Sequence, residues 1–183
     1  MVMKQFKLYI IVTTIAMGLF SCTERSEPIE VTTDHLHSVI DEVVEVMIND
    51  IFSPPVASRV FAYPNIAAYE ILAQNDTTYF SLKNQIKHLG AIPSPDESKR
   101  INYPLAALIA HIHLSKQLIF SEAKIETHRD SLYNVWEAKN PKEFKESKAY
   151  GLEVAAYISD WMNKDNYAQT RTMPKFSVDS EDE

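Results

Sequence analysis

The sequence predicts an all-α fold, a single bundle-like domain of about six helices, and three observations predict it. Apolar residues recur at helical spacing along nearly the whole length beyond residue 33. Proline and the capping residues Ser, Thr and Asn stand where those periodic runs begin. Glycine is scarce: Gly18, Gly90 and Gly151 are the only three in 183 residues, which disfavours a β fold built on tight turns. With 45% hydrophobic and 23% charged residues, the chain can bury one core and is not composed like a disordered segment.

The first periodic run predicts a helix over 34–52 with Thr33 as its cap. Leu36, Val39, Ile40, Val43, Val44, Met47, Ile48 and Ile51 form its apolar stripe, and Asp34, His37, Asp41, Glu42, Glu45 and Asn49 its polar face. Ser53-Pro54-Pro55 is a restart signal, a cap followed by prolines in the first turn, and predicts a second helix over 54–74. Pro64 falls inside it and predicts a kink near residues 60–64, because proline removes one backbone bond and crowds the preceding turn. Val56, Val60, Phe61, Ala67, Ala68, Ile71 and Leu72 cover most of its circumference, which predicts a central, buried helix.

A shorter helix is expected over 78–88, opened by Thr77 or Thr78 and followed by Gly90. Residues 91–100 read as a loop. Asn102 and Pro104 then open a helix over 103–120 whose stripe is Leu105, Leu108, Ile109, Ile112 and Ile119. Ser121 caps a helix over 122–139, with Ile125, Leu132, Val135 and Trp136 facing inward. The clearest start signal is Asn140-Pro141-Lys142-Glu143, a cap, a proline at the first position and an acid at the third. That helix should run to about 163, carrying Phe144, Tyr150, Val154, Ile158 and Trp161.

The leader reads as a targeting segment. Lys4 and Lys7 precede a thirteen-residue apolar run, "LYIIVTTIAMGLF", shorter than the roughly 20 residues of a membrane span. It ends in "LFSC", which resembles a bacterial lipobox. The expected organisation is a signal peptide over 1–21, a polar tether over 22–32, a helical domain over 33–170 and a polar tail over 171–183. Cys22, the single cysteine, is the expected lipidation site, and a lone cysteine forms no internal disulfide. The membrane is thus an expected partner, and the expected location is the bacterial envelope, reached by export and held by lipid.

Charge excludes some functions. The formal net charge is -7, and losing Lys4 and Lys7 with the leader makes it -9, so no basic footprint for nucleic acid exists. His35/His37 and His111/His113 each form an H-x-H. On a helix, residues two apart point about 200° from one another, so neither pair closes on one metal ion. Arg59 and Glu70 are the charged residues of the apolar second helix. Eleven residues separate them, about 16 Å along a helix axis, so each needs its own partner from a neighbouring element. Neither a nucleophile-elbow motif nor a Ser-x-x-Lys with its companions occurs. The residues themselves therefore name no catalytic, cofactor-binding or metal-binding residue.

Two runs carry a family resemblance. "NDIFSPPVASRVFAYPNIAAYE" from Asn49 and "KDNYAQTRTMPKF" from Lys164 resemble the N-terminal half of bacterial vanadium-dependent haloperoxidase-like lipoproteins of the acid phosphatase (PAP2) superfamily. The resemblance covers about residues 34–176 and implies a helical fold of packed bundles. It also implies where chemistry should be: a Lys followed by Arg-Pro, a Pro-Ser-Gly-His segment, and an Arg followed by a His, binding vanadate or phosphate. None of these stands in this sequence; Arg25, Arg59, Arg100, Arg129 and Arg171 lie outside such motifs. The expectation is a lipid-anchored helical region, truncated or split from its catalytic half, holding no vanadate and inactive alone, with a separately encoded C-terminal half as a candidate partner. The alternative is a stand-alone, non-enzymatic envelope lipoprotein that binds through the same scaffold.

Overall fold

The computed structural model describes residues 26–170 and 172–174. Among these are six helices and no strand: α1 (Thr33–Asn49), α2 (Pro54–Asn75), α3 (Tyr103–Leu118), α4 (Glu122–Lys139), α5 (Pro141–Met162) and the single-turn α6 (Tyr167–Thr170). The expected leader, Cys22 and the end of the tail lie outside the described residues.

α3 is the axis of the bundle. It lies along α2 and α5 and also touches α1 and α4. Its two sides differ in size. Leu105, Leu108, Ile109 and Ile112 enter one core with Val39, Val43, Val46, Trp136 and Phe144. Ala106, Ala107, Ala110 and Leu114 enter a second with Ala67, Ile71, Val154, Ala155 and Ile158. Alanines on this second side let α2 and α5 approach closely. Gly151 of α5 rests on the backbone of α3 there: a Cβ at this position would meet the Ala106 carbonyl oxygen at 2.5 Å.

The local start signals act as the sequence predicts at two helices. Asn102 Oδ1 accepts from the Leu105 N–H at 3.0 Å, and Asn140 Oδ1 from the Glu143 N–H at 3.2 Å. Ser53 and Ser121 take the cap positions without a side-chain cap bond. Ser121 instead gives its N–H and hydroxyl to Asp50 at 3.0 and 2.6 Å, which latches the α3–α4 corner to the end of α1. α1 begins one residue earlier than expected, capped at Thr32, whose N–H donates to His35 Nδ1 at 3.0 Å. α2 continues through the buried Pro64, and Asn65 Nδ2 donates to the Phe61 carbonyl at 2.7 Å beside the bond that proline removes.

Four expectations are corrected. No helix forms over 78–88, where the backbone turns instead. Asp76 takes the N–H and hydroxyl of Thr78, Glu70 takes the Leu82 N–H, and Asn84 and His88 have positive φ, so side chains use the amides that a helix would need. α2 is not the central helix: Phe61 and Leu72 point outward, and the place in the middle belongs to α3. Ile48 and Ile51 are 73% and 88% exposed, because α1 ends at Asn49 before its stripe can reach a neighbour. On α4, Val135 faces out while Tyr133 packs on Phe144 and Trp136.

Part of the expected tether is also pinned. Ile29 is buried in the first core; its N–H donates to Glu143 Oε2 at 2.8 Å, and its carbonyl accepts from Asn102 Nδ2 at 2.7 Å. Ile29 and Val31 alternate with Glu30 and Thr32, so an extended segment can bury one side while wetting the other.

Candidate functional site

A cleft of about 600 Å3 opens between the first half of α2, the 86–88 loop and the end of α5. Ser58, Arg59 and Tyr63 reach it from α2, because positions 59 and 63 lie one turn apart on the same flank. Trp161 closes one wall. Its ring meets Tyr63 edge to face at 5.3 Å, and its indole N–H donates to the Lys87 carbonyl at 3.1 Å.

Arg59 and Asp165 form the clasp of this cleft. Arg59 Nε lies 2.9 Å from Asp165 Oδ2, and the Tyr63 hydroxyl donates to the same oxygen at 2.7 Å. The guanidinium also stacks 3.7 Å from the ring centre of Tyr167. Asp165 Oδ1 accepts from the Tyr167 N–H at 2.8 Å, while Asn166 between them has a φ of 65°. Burial pushes the Asp165 carboxyl up, but hydrogen bonds from Tyr63, Tyr167 and Arg59 outweigh it and hold the group below its usual value. Burial, then the Asp165 carboxylate, push the Tyr63 hydroxyl up. Both stay in the protonation state that makes the bond.

The clasp joins the two runs that carry the family resemblance, since Arg59 lies in "FSPPVASR" and Asp165 and Tyr167 in "KDNYAQTR". Sequence reasoning sought a partner for Arg59 but did not find Asp165; 106 positions separate them, and only the shared specificity of the two runs hinted at contact. Glu70 finds donors too: the Ser81 hydroxyl at 2.7 Å and the Leu82 N–H at 2.6 Å, both from the loop after its own helix. Both charged side chains of α2 are thus paired within the described fold.

Lys87, His88 and Lys164 also line the cleft. The Ser58 hydroxyl donates to the Pro55 carbonyl at 2.8 Å, not to a base. Its one arginine is neutralised in place by Asp165. The six histidines are dispersed: His37 is exposed, His35 meets Trp136 at a tilt with ring centres 5.7 Å apart, His88 lines the cleft, His111 is buried beside Ser115, His113 meets Gln117, and His128 meets Ser38. Among the described residues no group of three or more His, Cys, Asp or Glu is placed to hold a metal ion. Among them, too, no helix is long and apolar enough to cross a membrane.

No protein-family model matches the chain, and no curated protein matches it. A solved structure does. The crystal structure of a bacterial vanadium-dependent iodoperoxidase is 63% identical, with a TM-score of 0.83 over 86% of this chain. The match covers 38% of the iodoperoxidase, so the chain spans well under half the length of that relative.

Proposed function

We propose, from the premise that this chain is a fragment of the vanadium haloperoxidase fold, that it is the N-terminal helical part of a haloperoxidase- or phosphatase-like protein, held to the bacterial envelope by a lipid on Cys22 and catalytically silent by itself. One observation carries the reading: high identity over most of this chain, set against 38% coverage of the enzyme it matches. The chemistry of the residues supports silence. An oxyanion such as vanadate or phosphate needs several Arg, Lys and His donors converging in a dry pocket. His113, Lys116 and Arg129 do meet in one cleft, but Lys116 is committed to Glu122 and Glu126 and Arg129 to Asp130, as Arg59 is to Asp165, which argues against an oxyanion site among the described residues.

The purified chain, given vanadate, hydrogen peroxide and iodide, is expected to oxidise iodide no faster than buffer; enzyme-dependent iodide turnover would overturn the reading. Anchoring has its own test. Expressed with labelled palmitate in a bacterium that processes lipoproteins, the wild-type chain should take up the label and Cys22→Ser should not. An unlabelled wild-type chain, or equal label on Cys22→Ser, rejects the anchor.

A further inference from the structure

The chain is acidic, but the cleft of about 600 Å3 between α2 and the end of α5 is not. Residues 77–95 include Lys83, Lys87 and His88 and no Asp or Glu. Lys87 and His88 reach the cleft from this stretch, and Lys164 reaches it from the turn after α5. None of these three has an ion-pair partner among the described residues. Asp165 is the one carboxylate among the described lining residues, and it already binds Arg59 and Tyr63. A chain of net charge -7 thus carries a local positive field, which draws opposite charge to this place.

The walls between these cations are apolar and fixed by hydrogen bonds. Tyr63 and Trp161 meet edge to face at 5.3 Å, with Ile66 and Ile86 beside them. Asp165 holds the Tyr63 hydroxyl at 2.7 Å, and the Lys87 carbonyl holds the Trp161 indole N–H at 3.1 Å. The loop that supplies Lys87 and His88 is fastened on both sides of them. Trp161 binds it at Lys87, the Asn84 N–H donates to the Leu89 carbonyl at 3.0 Å, and the Leu89 side chain is buried in the second core. A site built this way needs little ordering when a ligand enters. Its volume lies within the roughly 300–1,000 Å3 of small-molecule sites.

We propose that this cleft binds a small organic anion with a flat apolar body, of the arylcarboxylate class. The ring system lies against Tyr63, Trp161 and the two isoleucines, and the carboxylate faces Lys87, His88 and Lys164. Each half of the ligand excludes an alternative. A bare inorganic oxyanion would meet side chains that stand in water and gain little from them. A neutral arene forgoes the field, and an organic cation is repelled by it.

Naphthoate is the probe, and the indole N–H signal of Trp161 in the isotope-labelled chain is the readout. Trp136, the other tryptophan, is buried in the first core and serves as the internal reference. Naphthoate should shift the Trp161 signal saturably, with a Kd on the order of 0.1–1 mM, and leave Trp136 unmoved. Lys87→Gln combined with Lys164→Gln should weaken binding about tenfold, and naphthalenemethanol, with the same body and no charge, should bind several-fold more weakly. Added salt, which needs no substitution, should weaken naphthoate and spare the alcohol. Lys142→Gln combined with Lys145→Gln, exposed at the other end of α5, should leave the affinity as it is. Absence of a Trp161 shift at the solubility limit of naphthoate overturns the site. Equal affinity for the alcohol, or for the chain lacking Lys87 and Lys164, overturns it by showing apolar adhesion only. Equal weakening by the Lys142 and Lys145 pair overturns it by showing that overall charge, not this cleft, attracts the probe.

Discussion

Gly151→Ala is expected to destabilise the fold by about 2 kcal/mol, and Gly151→Val by more than about 3 kcal/mol, although alanine is the better helix former by about 1 kcal/mol. The physical reason is the Ala106 carbonyl oxygen, 2.5 Å from where the new methyl group would sit. That oxygen belongs to the backbone of α3 and cannot rotate away. The clash is relieved only by parting α3 from α5, and these two helices share the second core through Ala106, Ala110, Val154 and Ala155. A closely packed interior does not absorb such a shift locally. For a domain of this size the alanine variant should lower the thermal midpoint by about 6 °C. Gly90→Ala is the control. Its added methyl would meet the Tyr157 hydroxyl at 2.7 Å, the far end of a side chain that can swing, so a loss under about 1 kcal/mol is expected. Calorimetry of the three variants decides the matter: a Gly151→Ala chain as stable as wild type would mean that α3 and α5 are not in this contact.

Acid should weaken the fold well before its carboxylates titrate. His111 is 2% exposed and lies on the central helix, with the Ser115 hydroxyl 3.4 Å from its Nδ1. Burial pushes it down from 6.5 to about 4, since the imidazolium would lie in an apolar interior. The unfolded chain binds a proton there as pH falls below about 6.5, and the folded chain does not until about 4. Stability from this residue is therefore complete above pH 6.5 and lost between 6.5 and 4, in total about 3 kcal/mol. His113, half-buried, is lowered by burial and then by Lys116 and Arg129, so it adds in the same direction. Asp50, Asp76, Asp96, Glu126 and Asp165 have lowered values, so their losses begin at lower pH. Urea unfolding at pH 7.5, 5.5 and 4.5 should show stability falling with acid, and His111→Gln should flatten that fall by about one proton. An unchanged slope in the variant would place the acid sensitivity elsewhere.

What could be read in the sequence was what depends on near neighbours. Asn102 and Asn140 announce their helices because the cap bond spans three residues. The stripe of α3 is periodic and buried, so Leu105, Leu108, Ile109 and Ile112 are all where they were expected. Periodicity failed where the partner decides. Ile48 and Val135 continue their stripes correctly and still face outward, because none of the described residues covers them. The missing helix over 78–88 failed for a different reason: Glu70, twelve residues before Leu82, takes an amide that local propensity assigns to a helix. The Arg59–Asp165 clasp was beyond local reasoning altogether, yet both of its halves lie in the runs picked out as family markers.

The pinning of the segment before α1 would set a leash. If Cys22 carries the lipid proposed above, the chain is fastened from Glu27, whose carbonyl accepts from Asn140 Nδ2 at 3.2 Å, and five extended steps from Cys22 reach about 18 Å at most. The fastening point lies where α3 and α5 begin, at Asn102 and Glu143. α5 then runs 22 residues, about 33 Å, to the Arg59–Asp165 clasp. The bundle would stand with one pole moored near the bilayer and its clasp at the distant pole, roughly the length of a helix away.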